Sequence, residues 1–582
     1  MSRFICRVAI DNNEPRQHSA LPFQSAGLKL AFAFKQATLY CNDIPKSQHS
    51  VDGDIYTIGL SFSPSGDQRS VSEIRKCDKH AEILRERWGS FVSIKRHVDG
   101  RVSVVRDPSG LQPCYFMEAD GAFVFSSDVD LLVKGGFLTP AIDWAVLGET
   151  LLFPGNFHAA TALRGVTELL PGEQATITRN GISIGTVWSP WDIVVDVKMT
   201  YEDATRELRG ALETVHRGLS SVSKQSLVTV SGGLDSSIIA ALTSRDCTKT
   251  TLVTFYTDDP YGDERRYAQG LAEHLKCELL VLPYVAPELE TCLTMRAFLP
   301  RPTNRGLAMG VDSTLRKLAC KEESCMIFNG YGGDNVFCSL RSARPLSDAI
   351  LHGRSLKLAG RVSRSLANLT GASYSQIWSA ALRGVARALS GSTGYRWPRN
   401  SSMLGATLRE IERPAILHPW LMRAEATMPG KAAHVASLVV AHNHLERFAQ
   451  ADNVTSVSPL LTSPIVERAI SVPTWMWFEN DLDRFIARKA CSDLLPASLV
   501  SRTTKGTPVA LHSRFFEAHR KSLGDYLANG LLADRNLLDR DAVARCCKSE
   551  GPSRGLDFLR ILELVDVESW CRFWTEQGLL LH

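Results

Sequence analysis

Ser231-Gly232-Gly233-Leu234-Asp235-Ser236-Ser237 is the stretch on which the fold of this chain turns. The apolar run Leu227-Val228-Thr229-Val230 precedes it, and the helix-like stretch Ile238-Ile239-Ala240-Ala241-Leu242 follows. A strand feeding a glycine-rich turn that opens a helix presents unpaired backbone N–H groups and a positive dipole end to an anion. Gly232 and Gly233 let the backbone approach a phosphate closely, and the hydroxyls of Ser231, Ser236 and Ser237 add donors. Asp235 would repel a bare phosphate. Its carboxylate makes sense when a metal ion sits between it and the phosphates. The spacing is not the Gly-x-x-x-x-Gly-Lys-Ser/Thr loop of P-loop NTPases.

Outward from this loop, helix-like patterns at Glu202–Leu219 and Asp263–Leu275 alternate with apolar runs at 226–230, 251–256, 278–283 and 325–329. Such alternation predicts an α/β parallel sheet with ligands bound at the carboxyl ends of its strands. The first 190 residues have a different texture. Short alternating segments such as Phe91-Val92-Ser93-Ile94, Arg101–Val105 and Ala122–Phe125 are separated by Asp-Gly and Pro-Ser-Gly turns. That pattern predicts a largely antiparallel, strand-rich domain. We place the division at residues 1–192 and 200–582. After residue 340 the chain reads as mostly helical, a helical extension of the second domain.

At 582 residues the chain exceeds what one core organises. A net charge of +4 does not by itself indicate nucleic-acid binding. The fourteen cysteines show no regular spacing and no Cys-x-x-Cys pair, and read as reduced core residues of a cytoplasmic protein. The N-terminal apolar stretch is too short and too charged for a signal peptide, and no run nears the roughly eighteen residues that span a bilayer. No nucleic acid and no membrane insertion are expected. Between 341 and 400 ten basic residues stand against one acid, Asp348. This stretch is either a solvated helical face or a surface that steers an anionic partner. The histidines at 434, 442 and 444 lack a metal-binding spacing and read as packing or solvated residues.

The loop at 231–237 looks like the pyrophosphate loop of enzymes that split ATP into AMP and pyrophosphate. Together with Asn329-Gly330-Tyr331-Gly332-Gly333-Asp334-Asn335, it resembles the synthetase half of the asparagine synthetase superfamily. Arg106-Asp107-Pro108-Ser109-Gly110-Leu111-Gln112-Pro113 and Phe125-Ser126-Ser127-Asp128 resemble signature stretches of its glutaminase half. The resemblance covers nearly the whole chain. It implies an α+β, Ntn-type glutaminase-like domain followed by an ATP pyrophosphatase-type synthetase domain. Those glutaminases use the thiol of an N-terminal Cys with its own α-amine as base. Here position 2 is Ser and Cys6 lies inside the chain, so glutamine hydrolysis is not expected.

Gly332–Leu340, Ser458-Pro459-Leu460-Leu461-Thr462-Ser463-Pro464, Val472–Trp477, Asp483–Arg488 and Arg502-Thr503-Thr504-Lys505-Gly506 resemble lasso-peptide cyclases within that superfamily. The resemblance implies ATP and Mg²⁺ as cofactors. It also implies a ribosomal precursor core peptide as substrate, with a leader-peptide-binding protein and a leader protease as partners. Such an enzyme joins the peptide's N-terminal amine to an Asp or Glu side chain as a macrolactam. Closing a ring of about eight residues costs roughly 2 kcal/mol plus a constant, which the protein would offset with binding energy from remote contacts.

Adenylation converts a poor leaving group into AMP, and this needs charge neutralised at the phosphates. Asp235 and Asp334 are the expected Mg²⁺ ligands, with Ser231, Gly232, Gly233, Asp235, Ser236, Ser237 and Gly330 around the nucleotide. Lys505 would stabilise the pyrophosphate or the oxyanion of the second step; a surface lysine is the bland alternative. Tyr331 would take the proton of the attacking amine if a neighbouring carboxylate or lysine shifts its pKa; Glu446 is the candidate partner, with an ordinary helix salt bridge as its alternative. Tyr also stands at this place in β-lactam synthetases, so β-lactam or asparagine formation stays open, as does an inactive peptide-binding scaffold.

Overall fold

The computed structural model describes residues 2–10, 21–33, 36–43, 46–50, 53–68, 80–223, 225–257, 262–294, 298–303, 306–320, 325–353, 355–391, 395–423, 427–443, 445, 454–504, 509–548 and 555–580. The strand-rich first part forms two antiparallel six-stranded sheets. One runs, in spatial order, Thr167–Glu168, Tyr115–Ala119, Ala122–Ser126, Phe4–Ala9, Ala37–Cys41 and Lys29–Ala33. The other runs Gly181–Thr186, Glu173–Thr178, Val102–Arg106, Trp88–His97, Gly53–Phe62 and Lys46–Ser50. Alternate residues of facing strands share one core: Phe4, Cys6, Val8 and Leu39 meet Ile58, Val92, Ile94 and Val104. The period-2 patterning seen in the sequence therefore produces a sandwich.

The second part holds a parallel five-stranded sheet in the order Glu278–Pro283, Lys249–Tyr256, Gln225–Thr229, Cys325–Phe328, Thr455–Val457. Four strands fall where the apolar runs predict them. The fifth, Thr455–Val457, pairs with Met326–Phe328 and returns from the far side of the mostly helical region, where no apolar run announces it. The helix Tyr201–Ser220 is amphipathic and capped by Thr200, whose hydroxyl accepts from the Asp203 N–H. The helix Arg265–Leu275 begins at Arg265 rather than Asp263, because the Asp263 carboxylate accepts from the Arg265 N–H ahead of the first turn.

Packing runs across the division at 192–200. One core joins Phe62, Trp88 and Leu111 to Leu212, Ile238 and Trp477. Another joins Ile5, Tyr115 and Leu151 to Phe516, Trp570 and Trp574 of the last helices. Buried polar links reinforce the contact. Glu168 binds Arg106 at 2.6 Å and Arg301 at 2.5 Å, all three side chains being buried, and Trp188 donates to Glu467 at 2.8 Å. Among the described residues no helix is long and apolar enough to cross a membrane. The described cysteines are all free, and most are buried.

Candidate active site

The Ser231 loop sits at the carboxyl end of the central strand, Gln225–Thr229, and opens the helix Leu234–Asp246 with Gly233 as its N-cap. Gly232 takes φ +63°, a conformation natural to glycine. Arg502 holds this turn in place. Its guanidinium donates to the Gly232 carbonyl and to Glu264, both at 2.6 Å, and lies 3.7 Å over the Tyr267 ring.

A second loop, Asn329–Asn335, leaves the neighbouring strand Cys325–Phe328 and presses against the first. A Cβ on Gly330 would stand 2.5 Å from the Ser236 nitrogen, and one on Gly333 would collide with the Asp235 side chain. Only glycine permits this approach. The Asn329 side-chain oxygen accepts from the Tyr331 N–H at 3.0 Å and from the Ser458 hydroxyl at 2.8 Å. The stretch beginning at Ser458 thereby fixes the second loop from the end of the late strand.

These loops bring Asp235 and Asp334 together. Nη1 of Arg484 donates to Asp235 at 2.9 Å and to Asp334 at 2.6 Å. Arg484 also pairs with Asp483 at 3.2 Å, and Asp483 with Arg488 at 3.0 Å. Three carboxylates against two guanidinium groups leave a formal charge of about −1 in a mostly buried network. The surrounding acids hold the Arg484 guanidinium firmly protonated despite the burial that opposes it. The Asp483 carboxyl lies below the ordinary carboxylate range; burial opposes this, and Arg484, Ser339 and Arg488 outweigh it.

A cavity of about 440 Å³ opens over both loops. Ser231, Gly233, Asp235, Ser236, Gly330 and Tyr331 line it, with Val253 and Phe255 on one wall. Leu111 of the first domain and Leu445 complete the rim. Two expected ligand donors are directed elsewhere. Ser237 is fully buried, its hydroxyl turned back to the Gly233 carbonyl at 2.8 Å because the first helical turn leaves it facing the core. Gly232 offers its carbonyl to Arg502 instead of facing the cavity. Tyr331 lines the cavity, and its hydroxyl donates to the Ala441 carbonyl at 2.8 Å. Glu446 and Lys505 lie outside the described residues, as does His444. His434 and His442 are buried, and burial pushes them down to about 4 and about 3, so both are neutral packing residues.

Two residues absent from the predicted set, Arg484 and Arg502, therefore organise the site. Both stand in stretches whose likeness was noted, but only the tertiary fold brings their guanidinium groups to the loops. The stretch Arg106–Gln112 shapes the rim. Buried Arg106 donates to the carbonyls of Gly110, Gln112 and Leu169, closing a turn that presents Leu111 to the cavity.

Mg²⁺ fits this arrangement. Two carboxylates from separate loops already share one cation, Asp334 remains half exposed, and the network has negative charge to spare. Among the described residues no cluster of three or more metal-ligating side chains occurs. An ion here would take its remaining ligands from phosphate and water, as Mg²⁺ commonly does.

With this geometry the chain couples an Ntn-type amidotransferase fold to a parallel-sheet synthetase fold. The family model described as asparagine synthase matches residues 212–572, and that described as glutamine amidotransferase domain matches residues 79–188. The chain belongs to the asparagine synthase family. It is 25% identical over 172 residues to the glutamine-hydrolyzing asparagine synthetase 3 of Bacillus subtilis strain 168, a match covering 29% of this chain and 27% of that protein. Among solved structures, the allosteric regulatory enzyme of purine biosynthesis matches at TM-score 0.21 and 12% identity, over 49% of this chain and 75% of its own. NMN synthetase from Francisella tularensis matches at TM-score 0.16 and 13% identity, over 24% and 59%.

Proposed function

We propose that the protein is an ATP-dependent amide-bond ligase that adenylates a carboxylate, releases pyrophosphate, and passes the acyl group to an amine with release of AMP. The observation that carries this reading is the convergence of Asp235 and Asp334 on one cation, with Asp235 and the Ser231 loop lining a cavity. Val253 and Phe255 offer apolar surface for a purine, and Ser231 and Ser236, which line the same cavity, would border the phosphates. Bound Mg²⁺ would be held by Asp235 and Asp334 and would neutralise charge on those phosphates. Arg484 keeps the two carboxylates aligned, and Arg502 keeps the loop backbone fixed, so both steps find a preorganised site.

More narrowly, the protein is read as a lasso-peptide cyclase, in which the carboxylate is an Asp or Glu side chain of a core peptide and the amine is that peptide's own N-terminus. Support comes from the first domain. The Ser2 hydroxyl donates to Asp43 at 2.8 Å, and the backbone of Ser2 is bonded in both directions to the Gln112 side chain. The described cysteines of this domain are all buried, and burial pushes Cys41 and Cys114 up to about 12 and Cys6 higher still. None offers a thiolate for glutamine hydrolysis. The domain instead contributes Leu111 to the rim, which suits a peptide substrate. An α-amine has a pKa of roughly 7.7–8.0, so a base near the cavity would help it attack. Tyr331 lines the cavity with its hydroxyl bonded to the Ala441 carbonyl, and we read it, with Glu446, as the group that takes the amine's proton.

Incubation of a glycine-start core peptide carrying an acid seven to nine positions on, with ATP and Mg²⁺, is expected to give AMP, pyrophosphate and a peptide lighter by one water. Pyrophosphate release with aspartate and ammonia alone would favour asparagine formation, and release with a β-amino acid carboxylate would favour β-lactam formation.

A further inference from the structure

A second cavity, of about 90 Å³, lies at the junction of the two domains. Asn156 and His158 of the first domain and Arg301, Thr303 and Asn443 of the second line it. Hydrogen bonds cross between the domains around it. Asn156 Nδ2 donates to the Ile416 carbonyl at 2.7 Å, Asn443 Nδ2 to the Gly155 carbonyl at 2.6 Å, and Arg301 to the His158 carbonyl at 3.4 Å. The seam shares a helix end with the active-site cavity, since Asn443 stands two residues after Ala441, whose carbonyl accepts from Tyr331.

Three polar atoms at this cavity are left over. Asn156 Oδ1, His158 Nδ1 and Thr303 Oγ1 are buried without a hydrogen-bond partner among the described residues, which are 7%, 6% and 5% exposed respectively. A buried polar group without a partner is rare, and three on one cavity call for a guest that bonds them. Their chemistry defines that guest. The Asn156 amide commits its nitrogen to Ile416, so its oxygen is an acceptor that needs a donor. A simple anion has none to give. A cation would meet the Arg301 guanidinium and no carboxylate, because Glu168, which pairs with Arg301, does not line the cavity. An apolar guest would leave all three atoms unpaired. Burial pushes His158 down to about 4, so its ring is neutral, and like the Thr303 hydroxyl it can donate or accept. The guest is therefore small, neutral, and both donor and acceptor. Water meets each condition, and at roughly 30 Å³ per molecule about three fit.

We propose that this cavity is a site for ordered water, a cluster of about three molecules that bonds Asn156, His158 and Thr303 together and so joins the two domains. The direct test is a crystal structure of the full chain at a resolution that shows ordered solvent. Water density is expected within about 3.2 Å of each of the three atoms. An empty cavity, or density for a different guest, overturns the proposal. A double-mutant cycle in urea unfolding gives an independent measure. Thr303→Val and His158→Phe are each expected to shift the unfolding equilibrium by roughly tenfold, and the double variant by clearly less than the product, because the shared water is lost only once. Shifts that simply multiply would show that the two side chains share no water and would overturn it as well. The density in the wild-type protein decides the matter even where a variant fails to fold.

Discussion

Asp235 and Asp334 accept hydrogen bonds from the same nitrogen, Nη1 of Arg484, at 2.9 and 2.6 Å. Two loops that are remote in the chain are thereby closed on one positive charge. Arg484→Met is expected to remove the guanidinium that Asp235 and Asp334 share. Breaking such a pair costs about 3–5 kcal/mol when fully buried, and less here because Asp334 is half exposed. Thermal unfolding and pyrophosphate release should both fall, with Arg484→Lys recovering part of each. A melting temperature unchanged in Arg484→Met would show that the network does not hold the loops.

Asp334→Asn removes one of the two carboxylates read as Mg²⁺ ligands. Its half-exposed position makes a large loss of stability unexpected. The Mg²⁺ concentration needed for half-maximal pyrophosphate release is expected to rise about tenfold or more. An unaltered Mg²⁺ dependence would remove Asp334 from the metal site.

Gly330→Ala places a methyl group 2.5 Å from the Ser236 nitrogen. Overpacking of this kind costs about 1–3 kcal/mol, and a displacement of about 1 Å in positioning groups can cost about a hundredfold in rate. The variant is expected to fold, with turnover falling far more than stability. Wild-type turnover in this variant would mean that the two loops need not touch.

Glu168 sits between buried Arg106 and Arg301 and joins the two domains. Glu168→Gln leaves two buried guanidinium groups without their shared carboxylate and is expected to cost about 3–5 kcal/mol in urea unfolding. The exposed pair Arg423–Asp192 serves as the comparison, since Arg423→Ala should leave the midpoint unchanged.

Stability should also fall on acidification. Burial pushes His158, His216 and His434 down to about 4 and His442 to about 3, against about 6.5 in an unfolded chain. Between pH 6.5 and 4 the unfolded chain therefore binds protons that these four groups refuse when folded, and stability is lost as the pH drops through that window. Asp107 and Asp348, pushed up to about 7 and about 6 by burial, act in the opposite direction. Burial also holds His80 and His418 well below the ordinary histidine value and raises the Glu173 and Glu467 carboxyls, so six buried histidines stand against four acids and a net loss of stability on acidification is expected. A melting temperature that rises from pH 6.5 to 5 would contradict this balance.

Much of the fold was legible because its signals are local. Period-2 runs mark the sandwich strands, and the apolar runs at 226–230 and 325–329 mark strands whose ends carry the two loops. Thr455–Val457 escaped because a three-residue strand is defined by its pairing with Met326–Phe328, across the whole helical region. Arg484 and Arg502 escaped for a related reason: nothing near them in sequence says which carboxylate or carbonyl a long side chain will meet. The direction of the Ser237 hydroxyl, turned to the Gly233 carbonyl, is set by the helix, which rotates each residue of the loop by about 100° from the last. The shared cores could not be seen either, since the leucines and tryptophans of the last helices carry no mark of the domain they will cover.

Following the nucleotide separates adenylation from every other use of ATP at this site. With ATP, Mg²⁺ and a core peptide, AMP and pyrophosphate are expected in equal amounts, dependent on the peptide's carboxylate and abolished by Asp235→Asn. Formation of ADP and phosphate, or AMP release at a near-normal rate in Asp235→Asn, would contradict adenylation at this site.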